Sequence, residues 1–205
     1  AEAPFLIGSQ QTNSVLRITL SQVLSQGKFM QMLSAFSTAN PQIKLDIITT
    51  NQNLDLVQND IDFAFRGGKL TDSKMRSVKL FQANTVLCAP KNIPRELDDE
   101  EILAVIADKL IIPSYINLST LRMYLNKIGI DKPLSQFTAI NDAFSYKNAV
   151  LAGMGVGIFL DFFIKDELDQ GSAWQILEPH PFSYKSMDLY MIYHKNIKLA
   201  KSHEV

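Results

Sequence analysis

The chain has 205 residues, 46% of them hydrophobic, with 20 basic and 21 acidic side chains and a formal net charge of −1. A chain of that size buries enough surface to build a core without disulfides or a structural metal, and its length fits one or two domains. The even charge balance lacks the local excess of Lys and Arg that phosphate neutralisation requires, which argues against a nucleic-acid surface on this chain.

Residues 15–20 (Val-Leu-Arg-Ile-Thr-Leu) alternate and predict a strand; Phe29, Leu33 and Phe36 then recur at helical spacing until Asn40-Pro41 stops the run. A second strand is predicted over 43–48, a short helix over 53–59, and a third strand over 61–66 that ends in Gly67-Gly68. Strands separated by helices predict βαβ units and a mainly parallel sheet, because a parallel return needs a crossover of about a dozen residues. Two strand-like runs follow at 77–82 and 85–89, before Pro90 and Pro94 change the character of the chain. The acidic stretch Asp98 to Glu101 opens a helix over 97–107, where carboxylates oppose the positive end of the helix dipole.

A strand at 109–113 leads into Ser114-Tyr115 and a helix near 119–128, with Leu121, Tyr124, Leu125 and Ile128 inward and Gly129 as its stop. A strand near 136–140, a helix over 144–152, a strand over 156–160, a helix from 161 to 170 stopped by Gly171, and a last alternating strand over 187–193 complete the reading. There is no repeat and no flexible linker, and the join near residues 83–92 is mostly strand. The expected fold is therefore α/β with two Rossmann-like lobes joined by two crossing strands. Residues 1–85 plus 186–205 form lobe I and residues 86–185 lobe II, with a hinge and a cleft between them.

Gly153-Met154-Gly155-Val156-Gly157 closes a helix and enters a strand, the reverse of a dinucleotide-binding loop, and reads as a helix C-cap with close packing. No Walker lysine motif, nucleophile elbow or two-histidine metal motif is present. His180, His194 and His203 are scattered, so no catalytic residue, metal or cofactor is expected. The one cysteine, Cys88, lies in an apolar run, reads as a buried core thiol, and fits a reducing compartment. No apolar run reaches the ~18 residues that cross a bilayer, and the N-terminus lacks the pattern of a signal peptide. A start without methionine suggests a cut or processed fragment.

In open α/β sheets ligands bind beyond the carboxyl ends of the strands. The residues there are Ser21 and Gln22; Thr49, Thr50 and Asn51; Arg66; Ser114 and Tyr115; and Asn141. Each hydroxyl or amide also fits an ordinary helix cap, and Arg66 fits either a ligand contact or a structural ion pair.

Several stretches carry a family resemblance: Leu16-Arg17-Ile18-Thr19-Leu20-Ser21, Phe36 to Pro41 with Ile43 and Leu45, Leu54 to Val57, Asp60 to Gly68 with Leu70, Asp72 and Ser73, Val78 to Phe81, and Val150 to Ile158. Over about residues 15–195 the chain resembles the effector-binding domain of LysR-type transcriptional regulators, which shares the type 2 periplasmic-binding-protein fold. The resemblance implies a bacterial, cytoplasmic sensor whose N-terminal winged helix-turn-helix is absent from this chain. A small-molecule effector, often a carboxylate, would lie between the lobes against the nine residues named above. It also implies a side-by-side homodimer through the helix near 23–38, a tetramer in the full-length protein, DNA contact only through the missing domain, RNA polymerase as a downstream partner, and no membrane. A free-standing periplasmic solute-binding protein shares the fold and is the alternative; an enzyme on the same scaffold is weaker. The chain departs from the family in its acidic helix 97–107 and in Phe159-Leu160-Asp161, where a Leu-Pro turn is usual.

Overall fold

A computed structural model describes residues 14–68, 74–114, 118–176 and 186–195. The chain divides into two compact units, the first running to Phe81 and resuming at Asp188, the second spanning Gln82–Met187.

In the first unit, strands β1 (Ser14–Leu20), β2 (Ile43–Thr49) and β3 (Phe63–Gly67) are mutually parallel, with β1 in the middle. Helix α1 (Gly27–Ala39) makes the crossover from β1 to β2. Its Phe29 ring packs edge-on against Phe65 at 4.9 Å, so the sheet face carrying Leu20 and Phe65 is the one α1 covers. Strand β9 (Ser186–His194) runs antiparallel to β3, and the early part of β4 (Met75–Pro90) lies beyond it. The predicted helix over 53–59 is instead a single hydrogen-bonded turn over 56–60. The Asp55 carboxylate accepts from the amides of Val57 and Gln58, and Asp60 adopts a left-handed φ of 51° that ends the turn. Asp55 acts as an N-cap, but the Ile61 amide donating to the Leu56 carbonyl at 2.8 Å and the Asp60 amide donating to the Val57 carbonyl at 3.3 Å close the turn from the other side and stop the helix after its first turn.

The two strand runs predicted at 77–82 and 85–89 are one strand, β4, that passes from the first unit into the second. Its later residues pair antiparallel with β7 (Val156–Leu160) on one side and with β8 (Ala173–Gln175), a strand without a sequence signal, on the other. Strand β5 (Leu110–Pro113) is parallel to β7 and to β6 (Thr138–Ile140). Helices α2 (Asp99–Lys109), α3 (Leu118–Lys127), α4 (Ala143–Leu151) and α5 (Asp161–Asp169) complete the unit. The acidic run starts α2 as a capping box, with Asp98 accepting from the Glu101 amide at 2.9 Å and Glu101 accepting from the Asp98 amide at 3.0 Å. Leu87, Ile106, Leu110, Leu121, Leu125 and Val156 lie in its core. The Tyr146 hydroxyl, fully buried, accepts from the Ile158 amide at 2.6 Å beside the Ile111 carbonyl oxygen.

The glycine run behaves as a C-cap: Gly153 takes φ +91° after α4, and Gly155 then passes so close to the Lys109 carbonyl that no side chain fits.

Candidate functional site

The site assembles on one face of the first unit's sheet. Register pairs Thr19 with Ala64 and Leu20 with Phe65, so Thr19 and Ala64 share the face opposite α1. Extended backbone at Ser21 (φ −66°, ψ 148°) continues the alternation, and the Ser21 amide donates to the Phe65 carbonyl at 3.1 Å. Ser21 and Arg66 therefore emerge side by side at the carboxyl ends of β1 and β3.

Arg66 is 9% exposed. Its guanidinium donates to the Thr50 carbonyl at 3.2 Å and to the Thr19 hydroxyl at 3.0 Å, two neutral acceptors. Among the described residues no carboxylate pairs with it. Burial alone shifts the group, lowering its pKa from the usual arginine value. Beside it the Ser21 hydroxyl oxygen is buried with no hydrogen-bond partner. A buried cation without a counter-ion and a buried hydroxyl without a partner are both costly alone, and one anionic ligand atom would relieve both.

Gln22 and Asn51 clasp each other: the Gln22 amide donates to Asn51 Oδ1 at 3.1 Å, and Asn51 Nδ2 donates to Gln22 Oε1 at 2.7 Å. This pair ties the exits of β1 and β2 together. The Thr50 hydroxyl accepts from the Gln52 amide at 3.1 Å, a local turn. Thr49 pairs with Leu20 and so takes the α1 side of the sheet, away from Ser21 and Arg66. In the second unit, Ser114 and Asn141 are exposed at the carboxyl ends of β5 and β6, the Ser114 amide donating to the Ile140 carbonyl at 2.9 Å. Tyr115 lies outside the described residues.

Sequence reasoning missed the neighbour that the antiparallel strand supplies. Arg66 is paired directly with Tyr190 of β9, and directly opposed residues share a face. The Tyr190 hydroxyl donates to Asp188 Oδ2 at 3.2 Å, and Asp188 Oδ1 holds Lys79 of β4 at 2.6 Å. Only the alternation of the last strand hinted at this.

Cys88 is fully buried, and burial pushes its thiol up to about 12. At neutral pH it is expected to resist maleimide in the folded protein and to label at once in guanidinium chloride; fast labelling of the native protein would contradict its burial. Because the thiol is raised above its ordinary value of 9.0, the stability it contributes is complete below about pH 9 and is lost as pH rises towards about 12. Among the described residues, His, Cys, Asp and Glu form no group of three that could hold a metal, and no helix is long and apolar enough to cross a membrane.

The chain thus consists of two α/β units, the first with parallel strands whose ends carry a buried cation that no described carboxylate neutralises. The family model described as the LysR substrate binding domain matches residues 9–204, and the chain belongs to that family. An HTH-type transcriptional regulator of Xanthomonas campestris pv. campestris is 27% identical over 191 residues, covering 86% of this chain and 54% of that protein. The effector domain of the regulator AmpR of Pseudomonas aeruginosa has a TM-score of 0.71 at 15% identity, covering 90% of this chain and 87% of that one. The regulatory domain of CrgA, a LysR-type regulator of Neisseria meningitidis, has a TM-score of 0.71 at 18% identity and 89% coverage of both chains. The HTH-type transcriptional regulator CrgA of Neisseria meningitidis is 21% identical over 193 residues, and this chain spans 64% of its length and 54% of that of the Xanthomonas relative. Relatives named as transcriptional regulators do not support the alternative of a free-standing periplasmic receptor.

Proposed function

We propose that this chain is the effector-sensing part of a LysR-type transcriptional regulator, and that its effector carries a carboxylate bound by Ser21 and Arg66. The observation that carries the reading is the buried guanidinium of Arg66, neutralised by no described carboxylate, beside the partnerless Ser21 hydroxyl. Gln22, Asn51 and Thr50 frame that position, and Ser114 and Asn141 are proposed as effector contacts from the second unit on the chemistry of exposed strand ends.

A ligand shifts a conformational equilibrium only by its differential affinity for the two states. In the proposed reading, effector binding alters the geometry of a homodimer, and of a tetramer in the longer protein, and thereby the spacing of DNA-reading helices outside this chain. Helix α1 supports the dimer: Lys28 is its one charged residue, and none of its side chains is buried within the chain. RNA polymerase at the promoter is the proposed downstream partner and the cytoplasm the proposed compartment.

A thermal-shift screen of aliphatic and aromatic carboxylates tests the effector reading. A binder is expected to raise Tm with concentration, and Ser21→Ala is expected to weaken that binder about 5- to 10-fold, the net worth of one hydrogen bond. No shift from any carboxylate, or an unchanged affinity in Ser21→Ala, would overturn the assignment.

A further inference from the structure

On the reading that Ser21 and Arg66 hold an effector carboxylate, the row beside them describes the rest of the molecule. Register places Tyr190 next to Arg66 on the same sheet face, with Asp188 two residues earlier on that face and Lys79 on the neighbouring strand β4. All four belong to the first unit.

The row contains two cations and one carboxylate. Lys79 and Asp188 are in direct contact at 2.6 Å and neutralise each other, which leaves Arg66, among the described residues of the row, as the positive charge without a carboxylate partner. One net positive charge matches a monoanion; a second carboxylate on the ligand would meet Asp188 instead of a free cation.

The direction of the Tyr190 hydroxyl follows from the same pair. An ionised carboxylate only accepts hydrogen bonds, so Tyr190 must donate its single proton to Asp188 Oδ2. Its oxygen then presents only lone pairs to anything else that approaches. Lys79, by holding Asp188 as a carboxylate, acts as a positioning residue for that polarity.

We propose that Tyr190 is a specificity-determining residue of the effector site and that the row selects a hydroxy-monocarboxylate. The carboxylate lies at Ser21 and Arg66, and a hydroxyl at the other end of the ligand donates to the Tyr190 oxygen. An unsubstituted acid forgoes that bond, and a dicarboxylate adds a charge with no free cation in the described row to receive it.

Isothermal titration with two matched triads tests this: 4-hydroxybenzoate, benzoate and terephthalate, and 4-hydroxybutanoate, butanoate and succinate. In at least one triad the hydroxy acid is expected to bind about 5- to 10-fold tighter than its unsubstituted parent, and tighter than the dicarboxylate by a similar factor. Tyr190→Phe is expected to bring hydroxy acid and parent within about 2-fold of each other while the parent's own affinity holds. Asp188→Asn releases Lys79 and is expected to raise dicarboxylate affinity, a gain that a merely structural role for Asp188 would not produce. A hydroxy-to-parent ratio untouched by Tyr190→Phe, or a dicarboxylate that binds the unaltered protein tightest, would overturn the proposal while leaving the carboxylate site standing. Failure of every member of both triads to bind would overturn it together with the effector reading.

Discussion

Arg66→Met is expected to abolish carboxylate binding, by about 30-fold or more, while moving the unliganded protein's stability by no more than about 1 kcal/mol. The two halves of that expectation have separate causes. A hydrogen bond from a charged donor to a ligand is worth about 1.5–3 kcal/mol net, and Met supplies neither charge nor donor. In the unliganded protein, Arg66 gains its bonds to Thr50 and Thr19 but bears the cost of a nearly buried charge with no described carboxylate near it. Replacing a buried charge by an apolar side chain of similar length is often neutral, and a Met chain fills most of the guanidinium's stem volume. A purely structural Arg66 would show the opposite split, with Tm falling by several degrees and ligand affinity intact. Titration calorimetry and thermal unfolding on one preparation separate the outcomes.

Gly155→Ala is expected to cost about 3 kcal/mol or more, and Tm to fall by roughly 10 °C. A Cβ at this position would run into the carbonyl oxygen of Lys109, a backbone atom at the end of α2 where β5 begins, with the Ile111 side chain 3.2 Å away on the same side. Neither partner can yield cheaply, because Leu110 is paired with Val156 one residue further on. The useful comparison is Gly171→Ala, where a Cβ meets nothing within 4 Å and the strain is only that of a left-handed φ of 70°. That variant is expected to lose about 1 kcal/mol. Equal stability of the two variants would show that the approach of β7 to α2 is looser than described.

The glycine run is also where sequence and structure agree for a physical reason. A left-handed Gly153 after α4 and a side-chain-free Gly155 before β7 are local requirements, written in the residues that must meet them. The same holds for the capping box at Asp98 and Glu101 and for the alternation of β1, because each satisfies neighbours within a few positions in the chain.

Residues 53–59 show where local reading overreaches: the Asp55 carboxylate caps a turn at its start, but the left-handed Asp60 and the Ile61 amide donating back to the Leu56 carbonyl end it before a helix can propagate. Strand β4 fails in the other direction: Asn84 interrupts the apolar pattern, yet the strand runs unbroken through it into residues paired with β7 from Thr85 and with β8 from Cys88.

By itself the sequence determined the α/β class, most of the elements and the candidate strand ends Ser21, Thr50 and Arg66, because periodicity and polar residues at strand exits are short-range signals. Only the tertiary structure decided that Thr49 takes the other face, that Arg66 is buried without a described carboxylate, and that Tyr190, Asp188 and Lys79 stand beside it. That row depends on the register of an antiparallel strand more than a hundred residues away in the chain. A shift of one residue in that register would turn Tyr190 to the α1 side, and no local pattern encodes which register is chosen.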